Sequence, residues 1–187
     1  METAKLISLC LQGDESAWKM MVNTYAPQIF NLAYHFTGTR EEAEDLTQEI
    51  FLKLFSSIKK YKEEMNFTAW LLTLARNHLI DRYRREKKAK SMRQELDENL
   101  LTEASELSPE NNLARKEVQT LVWQALDQLS PEIRLSIILF DILGKTYEEV
   151  AEILNIPVGT VKSRINRGRL QLARLLADRR PEKGGLP

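Results

Sequence analysis

The chain has 187 residues, enough for one medium domain or two small ones with modest cores. Apolar residues at 43% and charged residues at 29% are those of a soluble globular protein, and 7 glycines with 6 prolines leave little for sheet turns, so an all-α fold of two small domains is expected. A formal net charge of zero argues against bulk coating of nucleic acid, a single cysteine excludes an intrachain disulfide, and no basic start followed by an apolar run marks a signal peptide or a membrane span, so a cytoplasmic protein without membrane insertion is expected.

From residue 1 to about 85 the pattern is helical, which sets the first domain at 1–85. Cys10 sits among Leu6, Ile7, Leu9 and Leu11 and reads as a small buried hydrophobe, and His35 and His78 have no ligand spacing with it or with each other, so neither a metal site nor a cofactor is expected. Thr39 and Glu42 predict a capping box, followed by acidic first turns. On that helix Leu46, Ile50 and Leu54 predict the buried stripe, while Asp45, Gln48 and Glu49 share another face able to meet a basic partner helix.

Lys59, Lys60, Tyr61 and Lys62 then interleave charge with an aromatic ring. Residues 67–83 are apolar nearly all round, including Phe67 and Trp70, and a single polar stripe of Thr73, Asn77, Asp81 and Arg84 remains on a heavily buried helix. A basic run from Arg82 to Arg93 follows, and aromatic rings beside cations suit single-stranded nucleic acid, on which bases can stack.

Periodicity fades between 86 and 113, where basic residues give way to acidic ones and Ser108-Pro109 with Asn111-Asn112 reads as loop, so this stretch is predicted to be a flexible linker. A second domain is expected over 114–180. It opens on a stripe of Val118, Leu121, Val122, Ala125 and Leu129, and Ser130-Pro131 caps and starts the next helix. The Gly- and Pro-rich end from Pro181 to Pro187 is expected to fray.

Within the second domain, Thr146 and Glu149 predict a capping box, Val150, Ala151 and Leu154 an apolar face, and Asn155-Ile156-Pro157 a break before another helix. On this helix Val161, Ile165, Gly168, Leu172 and Leu175 fall on one side, whereas Ser163, Asn166 and Arg167 point the other way. Two helices joined by so short a turn, the second with polar groups facing outward, predict a helix-turn-helix whose second helix enters the major groove of DNA. Arg167 can fork onto a guanine edge and Asn166 can pair with adenine, with Lys162, Arg164 and Arg169 flanking as phosphate contacts. Gly168 permits close helix packing; Leu170, on the polar face, does not fit the pattern.

These residues resemble the extracytoplasmic-function sigma factors, the smallest branch of the sigma-70 family, over nearly the whole chain. The first domain is similar to region 2 through Ala43-Glu44-Asp45-Leu46, Gln48-Glu49 and Phe51, then Phe67, Trp70-Leu71, Ala75, Asn77, Asp81 and Arg84. The second is similar to region 4 through Leu129, Arg134, Glu149-Val150-Ala151, Gly159-Thr160-Val161-Lys162-Ser163-Arg164 and Arg167-Gly168-Arg169.

The resemblance implies a non-enzymatic subunit that directs core RNA polymerase to promoters and helps open the DNA. Asp45, Gln48 and Glu49 would dock on the clamp helices of the largest polymerase subunit, and the second domain on the flap of the second-largest. The loop of residues 60–67 and the helix behind it, through Lys60, Tyr61, Phe67, Trp70, Thr73, Asn77 and Arg84, would hold an unstacked base of the minus-10 element. Lys162, Ser163, Asn166 and Arg167 would read the minus-35 element, and an anti-sigma factor would be the regulator. Two rival readings are a stand-alone helix-turn-helix regulator, which leaves the first domain without a role, and an adaptor that binds protein through its acidic helix, which makes the DNA-facing residues incidental.

Overall fold

The computed structural model describes residues 3–96 and 113–177. Four helices build the first domain: α1 (Thr3–Leu11), α2 (Glu15–Thr37), α3 (Arg40–Ser57) and α4 (Phe67–Leu96), with a 3₁₀ turn over Ile58–Lys60 after α3. The second domain comprises α5 (Leu113–Asp127), α6 (Pro131–Ile137), a π-helical turn over Ile138–Ile142, α7 (Tyr147–Leu154) and α8 (Val158–Ala177). No strand occurs among the described residues, as composition predicts.

Local chemistry accounts for most helix ends. Asp14 accepts hydrogen bonds from the amides of Ser16 and Ala17 at 2.8 and 3.0 Å and starts α2. Gly38, at φ +88°, ends it in the left-handed conformation that a residue with a Cβ adopts at a cost. The amide of Glu42 donates to Thr39 Oγ1 at 3.3 Å, but the Glu42 carboxylate accepts from the Thr39 hydroxyl rather than from its backbone amide. The capping box expected at α3 is therefore only half formed. Ser130 accepts from the Ile133 amide at 3.4 Å with Pro131 as the first helical residue, as expected.

The predicted core stripe is present: Leu46, Ile50 and Leu54 of α3 are buried against Met21, Ile29 and Leu32 of α2 and Leu71, Leu72 and Leu79 of α4. Cys10 is buried among its apolar neighbours, and burial raises its thiol pKa. Two expectations need correction. Residues 86–96, assigned to the linker, continue α4, because their Lys, Arg and Glu side chains are good helix formers; the remaining linker stretch and the terminal tail lie outside the described residues. Of the stripe expected here, Ala125 and, just beyond α5, Leu129 are buried and Leu121 is half-buried, whereas Val118 and Val122 are exposed; Leu126, which the stripe did not include, joins the buried side.

The second domain closes around α6, whose Leu135, Ile137 and the following Ile138 and Leu139 are covered by Val150, Ile153, Val161 and Ile165. The buried core is continuous across both domains: α7 lies on α4, and α5 on α2. This seam carries buried polar atoms that find no partner among the described residues, each costing about 1–3 kcal/mol when desolvated; they are Arg76 Nε, Trp123 Nε1 and Arg134 Nε.

Gly168 lies on the buried side of α8, where a Cβ would stand 2.8 Å from Ile133 Cγ2 and Ile137 Cγ1. The close packing anticipated from the sequence is thus required by α6. Gly168→Ala gains about 1 kcal/mol of helix propensity and meets about 1–3 kcal/mol of overpacking. We predict a net loss of about 1 kcal/mol in urea unfolding of the full chain; a more stable variant would show that α6 yields freely.

Candidate nucleic-acid interface and docking surface

α7 and α8 stand as a helix-turn-helix. The capping box at α7 is complete, the Thr146 amide donating to Glu149 Oε2 at 2.8 Å and the Glu149 amide to Thr146 Oγ1 at 3.1 Å. The hydrogen bond from Thr146 lowers the Glu149 pKa, and Lys145 adds to it, against the opposing effect of partial burial. Asn155 closes α7 at φ +52°, a left-handed turn that asparagine tolerates, and α8 starts at Val158.

On α8, Val161, Ile165 and Gly168 face the core, and Lys162, Ser163, Asn166 and Arg167 are all exposed together on the opposite side. Leu172 and Leu175 are half-buried, Leu172 packing against the edge of the core. Lys162 Nζ stands 5.3 Å above the Tyr147 ring, which steadies it at the edge of this face. Arg164 is half-buried. Arg169, expected to contact a phosphate, is exposed and paired: Asp141 holds its guanidinium through two oxygens, and it lies 5.4 Å from the Phe140 ring centre. Leu170 is exposed beside the polar face.

The polar stripe of α4 is where the sequence places it. Asn77, Asp81 and Arg84 are exposed, Trp70 and Thr73 half-buried. Phe67 is buried in a ring cluster with Tyr25, Tyr61 and Trp70 at centroid distances of 5.1, 5.2 and 5.9 Å, so it supports the 61–66 loop rather than standing free on the surface. The Tyr61 hydroxyl donates to the Met65 carbonyl at 2.6 Å and closes the loop, and burial raises the pKa of that phenol. Lys60 is exposed at the loop entrance. Between loop and α1 opens a cavity of about 290 Å³, bounded by Ile7, Tyr25, Tyr61, Glu63 and Asn66. Residues of α1 gave no sequence signal for this site; they reach it only through folding.

On α3, Asp45 and Gln48 are exposed, as expected of a docking face. Glu49 is turned toward α4, where His78 Nε2 meets its Oε2 at 2.5 Å and Arg82 Nη1 lies 3.6 Å from its Oε1. The free face instead continues through Leu52 and Phe55, 71% and 63% exposed, which sequence reasoning missed. Their signal was present: both are apolar yet fall outside the Leu46, Ile50 and Leu54 stripe. Phe55 is propped by Trp18, ring centres 4.9 Å apart.

Comparison with known proteins accounts for both halves. The sigma-70 region 2 family model matches residues 21–89 and the sigma-70 region 4 model residues 119–172. The chain is 34% identical to the ECF RNA polymerase sigma factor SigW of Bacillus subtilis over 180 residues, covering 93% of this chain and 96% of the relative. It belongs to the extracytoplasmic-function sigma factors. SigE of Mycolicibacterium smegmatis is 36% identical over 168 residues, 88% of this sigma factor and 65% of that relative's length. Among solved structures, the sigma factor RpoE of Bartonella quintana, in complex with the anti-sigma factor NepR, aligns with a TM-score of 0.66 at 27% identity, covering 87% of this chain and 98% of that one. CnrH, solved with the cytosolic domain of CnrY, shares the fold at a TM-score of 0.69 and 22% identity, covering 93% and 96%.

The protein is therefore a non-enzymatic initiation factor that directs RNA polymerase to promoters, and the stand-alone regulator and adaptor readings are set aside because region 2 and region 4 stand in order on one chain. No described helix of this sigma factor is long and apolar enough to cross a membrane.

The cap at α7 orients the helix-turn-helix and is testable by pH. Because the folded-state pKa of Glu149 is depressed, its charge contributes stability that is full above the ordinary carboxylate value and lost as pH falls through the folded one. Glu149→Gln keeps a capping side chain without the charge. The wild-type advantage in chemical denaturation should hold at pH 7, shrink as pH falls past the ordinary carboxylate value and vanish below the depressed folded one; a gap independent of pH would point to packing instead.

Proposed function

We propose that α8 reads the minus-35 element in the major groove through Lys162, Ser163, Asn166 and Arg167, with Arg164 and Arg169 at phosphates. The observation that carries this is the joint exposure of those four side chains on the face of α8 opposite Val161 and Ile165. Arg167 can form a bidentate contact with guanine and Asn166 with adenine. Arg169 reaches a phosphate only by leaving Asp141 or by sharing its guanidinium with both.

In the same reading the first domain, α1 through α4, serves the minus-10 element, and the second, α5 through α8, the minus-35 element and the flap of the second-largest polymerase subunit. Lys60, Tyr61, Trp70, Thr73, Asn77 and Arg84 meet the separated strand, with Phe67 as a buried support. The cavity beside Tyr61 takes one base out of the stack, and holding it there opposes re-annealing. Asp45 and Gln48, extended by Leu52 and Phe55, dock on the clamp helices of the largest subunit, with Glu49 oriented by His78 and Arg82 at the margin. An exposed apolar pair beside a carboxylate suits a partner helix with basic and apolar side chains. The protein works in the cytoplasm, and an anti-sigma factor regulates it, as one accompanies the Bartonella quintana relative.

Two substitutions separate these roles. Arg167→Ala should weaken minus-35 duplex binding by the reconstituted holoenzyme by about 1–3 kcal/mol and relax specificity at one base pair; unchanged affinity with an intact fold would remove Arg167 from base readout. Asp45→Lys should reduce co-elution with core RNA polymerase in gel filtration while leaving the circular dichroism spectrum as it is. Undiminished co-elution would place the docking surface elsewhere.

A further inference from the structure

Between α6 and α7 the chain makes the π-helical turn over Ile138–Ile142, and its outward side chains reach the cationic edge of α8. The Leu143 amide donates to the Ile138 carbonyl, five residues back, at 2.9 Å, so the turn holds one residue more than an α-helical turn. Asp141 follows the buried Ile137 and Ile138 at spacings of four and three, which share one face in an α-helix; the widened turn carries it out to the surface instead. There its carboxylate accepts from Arg169 Nε at 3.2 Å and from Nη2 of the same guanidinium. The Phe140 ring that lies against this guanidinium also stacks on Tyr147, with ring centres 4.3 Å apart and planes 23° from parallel, and Tyr147 in turn seats Lys162. Lys162 and Arg169 are seven residues apart, about two turns or 10 Å along α8, so one pair of stacked rings underlies both cations.

A guanidinium carries five N–H donors around a planar fork. Asp141 takes the side formed by Nε and Nη2, which leaves both hydrogens of Nη1 and the second of Nη2. The remaining edge, Nη1 with Nη2, is one that grips two oxygens of a phosphate side by side, and Arg169 is exposed. We propose that Asp141 is a positioning residue of the DNA interface: it holds Arg169 by one edge so that the other edge bridges to a backbone phosphate, with the stacked rings of Phe140 and Tyr147 as the base. This role rests on the reading of Arg169 as a phosphate contact and specifies how the contact is made, by sharing the guanidinium and not by leaving Asp141. An exposed arginine loses rotamer freedom when it meets a phosphate, and one already fixed by a carboxylate and a ring has less to lose. The hydrogen bond to Asp141 and then the charge of Asp141 raise the Arg169 pKa, as expected of an ion pair between full charges. Since the pair is neutral as a whole, the gain lies in orientation and not in added charge.

The test uses reconstituted holoenzyme and a minus-35 duplex enriched from a random-sequence pool by the wild-type holoenzyme, with affinity followed by fluorescence anisotropy between roughly 50 and 200 mM salt. Asp141→Asn should weaken binding about two- to fivefold, the scale of one exposed ion pair, and leave the salt slope as it is, because the cation at the phosphate remains. Arg169→Ala should reduce the slope by about 1, and in that background Asp141→Asn should no longer weaken binding. Phe140→Leu keeps the apolar bulk without the ring and should shift affinity in the same direction as Asp141→Asn, which supplies a second variant should the first lose helix content by circular dichroism. Tighter binding by folded Asp141→Asn would make Asp141 an electrostatic brake, unchanged affinity would make it a bystander, and an equal loss with and without Arg169 would make its part purely structural; each overturns the proposal. An unchanged slope for Arg169→Ala is a distinct result: the phosphate contact itself fails, and the role of Asp141 falls with it.

Discussion

A helix buried on most of its circumference has few positions left for polar side chains, and each of them meets a particular neighbour. α4 is such a helix. Leu71, Leu72, Ala75 and Leu79 lock it into the core, which leaves Thr73, Asn77, Asp81 and Arg84 as its outer stripe. On one flank His78 and Arg82 reach Glu49 of α3; on another, Arg76 reaches the end of α7. The surface proposed to meet DNA, the helix proposed to meet polymerase and the helix-turn-helix are therefore all referenced to one rod. A displacement of α4 would be felt at each of them, because close-packed interiors transmit shifts rather than absorb them.

The second domain obtains its geometry from a different constraint. α8 must approach α6 closely enough to exclude a Cβ at Gly168, and that approach fixes how Lys162, Ser163, Asn166 and Arg167 are presented. The complete capping box at Thr146 and the left-handed Asn155 set the start and end of α7, so the angle between the two helices follows from local chemistry and one tight contact. The pairing of Arg169 with Asp141 ties α8 to the π-helical turn after α6, and it turns a side chain of apparently free charge into part of the scaffold.

Periodicity and capping are short-range properties, and what depends on them was legible in the amino-acid sequence: the helical class, the stripe of Leu46, Ile50 and Leu54, the break at Asn155-Ile156-Pro157, and the outward set on α8. The motifs of both halves also identified the family before any coordinates. Where the sequence reading missed, a long-range contact or a continuing propensity was responsible. α4 runs on through residue 96 because the polar side chains after residue 85 favour helix even without an apolar stripe. Val118 and Val122 look like core by spacing, yet nothing covers them among the described residues. Leu52 and Phe55 look like ordinary helix residues until the burial of Leu46, Ile50 and Leu54 shows which side they cannot occupy.

Sequence by itself thus determined the elements, their capping and the chemistry each face carries, since these follow from neighbours within a turn or two along the chain. Tertiary structure alone decided that Glu49 pairs with His78, that Phe67 supports its loop from beneath, that Arg169 is held by Asp141, and that Arg76 and Arg134 each grip the carbonyl end of a helix in the other domain. The polar pairings among these join residues from 28 to 98 positions apart, and no period or spacing encodes them. They arise because a buried charge or amide must find a partner wherever packing happens to bring one.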